Sequence, residues 1–343
     1  MSNSKAYSDP SDQSANRRRD DPAALMPVTI LTGFLGSGKT TCLNKFLQSP
    51  LAADTAVLIN EFGEIDVDGA VLSAQLADGS KLITLPNGCV CCAVQEDLVD
   101  ALLVLAKRAN GSGEKIRRCI IETTGLADPG AIIRGVGHDP RLKAATRVEQ
   151  TVTVCAADRL QAQLTRFDEV ARQIGIADRI IITKGDLVPK DTLREVSSEI
   201  SAINPLAETH LAENGAIDPQ LLFGTVTTAP TIAPDHGNDH HHHSASVQTF
   251  TVKLEQPLDP GRFRDVMSFM IMRHAEDLLR IKGIVRFAGE KKPRLLNGVH
   301  DVFSSELSDT MALAMGQAGS IVFIGVDLPE ATIRADLAGC EIK

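Results

Sequence analysis

Short runs of apolar and β-branched residues punctuate the first two-thirds of the chain, at 28–32, 56–60, 81–85, 118–122, 151–155 and 179–183. Each is strand length and bounded by Gly, Asn, Asp or charged residues. Amphipathic stretches with helical spacing separate most of them, at 39–48, 95–108 and 191–203. Unbroken apolar strands alternating with helices predict an α/β fold, a doubly wound and mainly parallel sheet covered on both faces. The pattern changes at 229–246, which is polar and rich in Pro, Gly, Asp and His. Beyond it, 246–254 alternates as a strand, 260–272 reads as a helix, 280–287 and 321–326 as strands, and 330–337 as a last helix. These elements predict a smaller α+β domain with an antiparallel sheet and helices on one face. The expected organisation is a disordered leader over 1–25, a nucleotide-type α/β domain over 26–228, a His-rich linker over 229–246 and the α+β domain over 247–343. No internal repeat is visible.

Composition narrows the function classes. A chain of 343 residues suits two domains, and 43% hydrophobic residues suffice for packed cores. Aromatic residues make up 3%, with no Trp and one Tyr, so stacking platforms for single-stranded nucleic acid are not expected. The formal net charge of −9 argues against broad nucleic-acid binding. No apolar run approaches the roughly 18 to 20 residues needed to span a bilayer. The first residues are polar and include Arg17, Arg18 and Arg19 without the apolar core of a secretion signal, so a cytoplasmic protein is expected. Seven cysteines without a signal peptide do not suggest a disulfide framework. Cys42, Cys119, Cys155 and Cys340 sit apart in apolar stretches and read as core residues.

The first candidate chemistry lies between an expected strand and an expected helix. Gly33-Phe34-Leu35-Gly36-Ser37-Gly38-Lys39-Thr40 fits the phosphate-loop pattern G-x-x-x-x-G-K-[ST]. Gly33, Gly36, Ser37 and Gly38 would turn backbone N–H groups toward phosphates, and the helix N-terminus adds partial positive charge. Lys39 would reach the β- and γ-phosphates as a catalytic cation, the Thr40 hydroxyl would ligate Mg²⁺, and Thr41 is grouped with the nucleotide contacts. Glu122 ends the expected strand 118–122 and can hold Mg²⁺ through water or orient the attacking water. Gly125 would let the backbone approach the γ-phosphate. Thr183-Lys184-Gly185-Asp186 follows another strand. Asp186 can accept both guanine N1–H and N2–H₂, which adenine cannot offer, and Lys184 can lay its stem over the base. GTP is therefore the expected nucleotide, although Thr183 stands where Asn is usual.

The second candidate chemistry is a metal site. In Asn87-Gly88-Cys89-Val90-Cys91-Cys92, Cys89 and Cys91 point the same way in extended backbone, and a turn brings in Cys92. Two or three clustered thiolates favour Zn²⁺, Cu⁺ or Co²⁺. Three ligands do not close a tetrahedral site, which favours delivery or sensing over a structural role; a redox pair and buried core cysteines are the other readings. Glu61 and Glu64, in the acidic stretch Asn60 to Gly69, can add oxygen ligands or contact Mg²⁺ where a γ-phosphate-sensing switch would lie. His236, His240, His241, His242 and His243 can collect metal loosely, or belong to a solvated linker.

Taken together, these motifs resemble the CobW-type family of P-loop GTPase metallochaperones, relatives of UreG and HypB, and within it the short YjiA-like bacterial branch. The resemblance also runs through Leu85-Pro86-Asn87-Gly88, Glu122-Thr123-Thr124-Gly125-Leu126-Ala127-Asp128-Pro129, Leu279-Arg280-Ile281-Lys282-Gly283, Asn297-Gly298-Val299 and Val322-Phe323-Ile324-Gly325. It implies slow intrinsic GTP hydrolysis, zinc or cobalt at the cysteine motif, and transfer to a client metalloprotein. A nucleotide- or metal-dependent homodimer fits the same resemblance. One departure is Cys155-Ala156-Ala157-Asp158, where the family usually has Val-Asp-Ala, which leaves Asp158 without an assigned role. The competing expectations are a cobalt chaperone for cobalamin synthesis, a nucleotide-independent metal store or sensor, and a redox enzyme.

Overall fold

The computed structural model describes residues 25–59, 81–84, 94–109, 116–212, 216–224, 247–308 and 319–342. The expected leader up to residue 24, the segment 60–80, the cysteine motif within 85–93 and the His-rich linker 229–246 lie outside the described residues. So do Glu61, Glu64, Cys89, Cys91, Cys92, His236, His240, His241, His242 and His243.

Seven strands form the first sheet: β1 (Met26–Thr32), β2 (Thr55–Ile59), β3 (Lys81–Thr84), β4 (Arg118–Glu122), β5 (Thr146–Ala156), β6 (Arg179–Thr183) and β7 (Glu208–Leu211). They lie in the order β3-β2-β4-β1-β5-β6-β7, and every pairing is parallel. The helix Lys39–Leu47 packs on one face through Cys42, Leu43, Phe46 and Leu47. The helices Val94–Ala109 and Pro129–His138 cover the other. Burial on both faces explains why β2 reads as five apolar or small residues with no polar alternation. β1 lies between β4 and β5; the connection after β1 runs to β2 on one side and the connection after β4 crosses β1 to β5 on the other, so the strand order reverses here. In such sheets a ligand crevice opens at the carboxyl ends of these central strands.

The second sheet comprises β8 (Val247–Leu254), β9 (Leu278–Val285), β10 (Arg294–Val299), β11 (Val302–Leu307) and β12 (Gly319–Val326). Its order is β11-β10-β9-β12-β8, with every neighbour antiparallel. The helices Pro260–Arg273 and Glu330–Ala338 bury Phe263, Met267, Ile333 and Leu337 against one face. The opposite face meets the first domain: Leu279 and Val299 join its core, while Val322 and Ile324 pack with Leu206. This double coverage buries every residue of β9 and β12.

Several elements depart from the sequence expectation. The strand expected at 151–155 extends over Thr146–Ala156, and the one expected at 280–287 runs Leu278–Val285. The helices Pro129–His138, Leu160–Arg166 and Asp168–Ile176, the edge strand β7 and the hairpin β10–β11 were not expected. Gly130, Gly135 and Gly137 dilute the helical pattern of Pro129–His138, yet its start is marked by Asp128, whose carboxylate accepts from Gly130 N, and by Pro129 in the first turn.

Candidate functional site

The loop after β1 curls because its glycines permit it. Gly33 has φ 140°, and a β-carbon there would lie 2.2 Å from the Val154 carbonyl oxygen. Gly38, at the N-terminus of the helix Lys39–Leu47, has φ 98°, a left-handed conformation that side chains disfavour. Within this curl Lys39 is 9% exposed, and its Nζ donates to Gly33 O at 2.7 Å and Phe34 O at 3.4 Å. Thr41 is exposed on the first turn of the helix.

Sheet register brings the acidic partner. Leu31 of β1 pairs with Glu122 of β4, so Glu122 ends its strand beside the loop. Thr40 Oγ1 donates to Glu122 Oε1 at 3.2 Å, joining a hydroxyl and a carboxylate. Two hard oxygen ligands at this separation suit Mg²⁺, which prefers a few protein oxygens and keeps phosphates and waters for the rest. The cradle also fits a polyanion: the buried Ser37 Oγ and Thr124 Oγ1 have no hydrogen-bond partner among the described residues. Gly125 packs directly on this loop; a β-carbon there would lie 2.6 Å from Leu35 N.

The second loop follows β6. Thr183 is 4% exposed and turns its hydroxyl inward, donating to Ser37 O at 2.6 Å with Cys155 O at 3.3 Å. The residue that departs from the usual Asn thus spends its side chain on fixing the phosphate loop. Lys184 adopts φ 57° and reaches Gly36 O at 3.0 Å through Nζ, so its stem bridges the two loops. Asp186 is exposed in the 3-10 turn Gly185–Leu187.

Sequence reasoning missed three supporting residues. Asp158 Oδ1 lies 3.6 Å from Lys184 Nζ, so this displaced acid does meet the loop after β6. Arg159 sits beside it, with Nε 3.3 Å from Asp158 Oδ2. Gln173 is buried in the helix Asp168–Ile176, and its Nε2 donates to Gly125 O and Ala127 O, each at 3.1 Å. A lone Gln on an otherwise apolar helix face was the available signal for it.

Cys42 and Cys155 are buried, and burial pushes their thiols up to about 11 and about 12. Burial likewise raises Cys119 and Cys340. Protonated thiols are poor metal ligands, so these four are core residues. Among the described residues, no group of three or more His, Cys, Asp or Glu side chains could hold a metal ion. Ile59 pairs with both Thr84 and Glu122. The stretch carrying Glu61 and Glu64 begins just after Ile59, and the stretch carrying the cysteines just after Thr84. The described strands thus end, at Ile59 and Thr84, level with the Glu122 that meets Thr40.

A parallel doubly wound sheet with this phosphate loop, acid and base-side loop defines the class of P-loop nucleoside triphosphatases. Residues 27–210 match the family described as CobW/HypB/UreG, nucleotide-binding domain, and residues 247–341 match the cobalamin synthesis protein cobW C-terminal domain. The chain belongs to the CobW family. It is 33% identical over 323 residues to the zinc chaperone YjiA of Escherichia coli K12, covering 91% of this chain and 98% of that protein. It is 29% identical over 345 residues to the zinc chaperone CobW of a Sinorhizobium species, covering 90% and 96%. The crystal structure of Zn(II)-bound YjiA GTPase superposes with a TM-score of 0.75 at 28% identity, covering 93% of this chain and 100% of that one. No helix among the described residues is long and apolar enough to cross a membrane.

Proposed function

We propose that this protein is a Mg²⁺-dependent GTPase that binds a transition metal, zinc before cobalt, at Cys89, Cys91 and Cys92 and yields it to a client metalloprotein when GTP is hydrolysed. The observation that supports the reading is the shared register of Ile59, Thr84 and Glu122, since Glu61 follows Ile59, and Cys89 follows Thr84, within a few residues of sequence. Chain between Thr84 and Cys89 can span at most roughly 18 Å. The relatives named as zinc chaperones and the zinc-bound structure support zinc as cargo.

Lys39 exchanges the Gly33 and Phe34 carbonyls for the β- and γ-phosphate oxygens, and the Gly33–Lys39 backbone amides cradle them. Thr40 and Glu122 would hold a magnesium ion, which would supply positive charge against the phosphate oxygens. Gly125 offers its backbone to the γ-phosphate. Lys184 spreads its stem beneath the base, Thr183 fixes the loops, and Asp186 accepts the two guanine donors. Glu61 and Glu64 supply oxygen ligands that follow the nucleotide state, and the cysteine thiolates supply the soft ones. The histidines of the linker, His236 and His240 to His243, collect metal loosely.

Phosphate release from GTP with Mg²⁺ tests the first half. The full chain is expected to turn over GTP slowly and to prefer it to ATP by at least tenfold, while Lys39→Ala abolishes turnover. Equal use of ATP, or unchanged turnover in Lys39→Ala, would sink the GTPase reading.

A further inference from the structure

The hairpin β10–β11 reaches out of the second sheet and seats its turn on the helix Pro129–His138 of the first domain. His300 in that turn is 1% exposed and has φ 51°, a left-handed backbone held as its ring Nδ1 lies 3.0 Å from Ala275 O. The other ring nitrogen, Nε2, is buried without a hydrogen-bond partner among the described residues. It lies over Gly130, where a β-carbon would sit 2.0 Å away, and 4.0 Å from Asp128 Oδ1. Two turns along the same helix face, Gly137 receives Val302, whose methyl would be 2.5 Å from a β-carbon there. His138 Nε2 pairs with Asp301 Oδ2 at 3.1 Å at the rim. The helix thus presents two glycines as a groove, and the hairpin fills both.

This helix is the direct continuation of the loop that starts at Glu122. Gly125 rests on Leu35 of the phosphate loop, Gln173 grips the carbonyls of Gly125 and Ala127, and Asp128 caps the helix at Gly130. On its other side the hairpin contributes Arg294 and Phe303 to an apolar groove of about 400 Å³ against Phe263 and Met267. Backbone and side-chain contacts therefore link the phosphate loop, through Gly125, Asp128 and Gly130, to His300 and the hairpin.

We propose that His300 is a positioning residue through which the nucleotide state of the first domain sets the position of the β10–β11 hairpin. The mechanism rests on the GTPase reading: a γ-phosphate beside Glu122 to Gly125 shifts the loop, the loop moves Asp128 and Gly130, and the ring seated on Gly130 follows. The imidazole sits against both the Asx cap and the glycine, so a shift of either displaces the ring, and a packed contact of this kind carries such coupling.

The test is amide hydrogen exchange across 294–307 in the full chain, with Mg²⁺ plus a non-hydrolysable GTP analogue and with Mg²⁺ plus GDP. Binding of both nucleotides is measured separately with fluorescent analogues. The wild type is expected to show at least a threefold difference in hairpin exchange between the two states. His300→Asn keeps a residue tolerant of left-handed backbone but removes the ring; it is expected to bind both nucleotides within threefold of wild type and to lose the exchange difference. Gly130→Ala, which fills the seat, is expected to do the same. Both nucleotides binding with unchanged hairpin exchange, or a difference that survives in both variants, overturns this proposal alone. Failure of the wild type to bind either nucleotide overturns the GTPase reading and this proposal with it.

Discussion

Thr183 shows how a single hydroxyl can replace a longer amide. Its Oγ1 ties the loop after β6 to Ser37 O at 2.6 Å, so the two halves of the proposed nucleotide site share a buried hydrogen bond. Thr183→Val keeps the shape and leaves that carbonyl without its donor. Losing such a bond costs about 1 kcal/mol, so GTP and GDP affinities are each expected to fall about fivefold in fluorescent-nucleotide titrations. Unchanged affinity would mean that Lys184 alone, through its bond to Gly36 O, suffices to join the loops. Asp158 was the harder residue to read. Its displacement from the family position suggested no role, yet it lies beside Lys184. Sequence spacing does not reveal that β5 and β6 end side by side, with Ala156 paired to Thr183.

At the level of elements, the central strands and the phosphate loop were legible because burial on both faces writes itself into unbroken apolar runs. Glu122 and Thr40 were legible as a pair for the same reason, since the loop motif and the strand-end acid each have a local signature. The helix Pro129–His138 was not, because its glycines serve the hairpin that packs on it and weaken the helical pattern. The hairpin β10–β11 was missed because edge strand β11 carries Ser304, Ser305 and Glu306, which read as loop. Placement of Gly125 is likewise a tertiary fact: its lack of a side chain matters because Leu35 N would lie 2.6 Å from a β-carbon. Gly125→Ala must push against backbone. It is expected to lower GTP turnover at least tenfold, about 1.4 kcal/mol in the barrier, while the thermal transition stays cooperative. Turnover within twofold of wild type would contradict the close packing of this loop on the phosphate loop.

Across the whole molecule, the two domains are fastened by a buried charge cluster. Asp178, just ahead of β6, meets Arg280 and Lys282 of β9, and its second carboxylate oxygen accepts from Thr151 N at 3.0 Å. Burial alone would raise the Asp178 carboxyl, but the two cations beside it carry it below the usual range. Lys282 is pushed down to about 8, first by burial and then by Arg280, against the pull of Asp178. Asp178→Ala strands two buried cations, and removing one partner of a buried pair costs about 3–5 kcal/mol. A denaturation midpoint within experimental error of wild type would contradict the anchor. The pH dependence has the same sign at both ends, stability rising with pH through each window. Lys282 binds its proton more weakly folded than unfolded, so its contribution to stability rises as pH climbs from about 8 toward the ordinary lysine value of 10.5. The contribution of Asp178 is present above the ordinary carboxylate range and is lost as pH falls through its depressed folded value. Urea unfolding of Lys282→Met should therefore lose the alkaline rise, and a rise that persists would place it on another group.

In the proposed function nucleotide state and metal affinity are linked, and linkage is reciprocal. The direct measurement is Zn²⁺ affinity of the full chain by chelator competition, with Mg²⁺ plus a non-hydrolysable GTP analogue and again with Mg²⁺ plus GDP. The proposed function predicts at least tenfold tighter zinc in the GTP-like state, about 1.4 kcal/mol of coupling. Equal affinities in the two states would contradict it, and would leave a GTPase carrying an independent metal store.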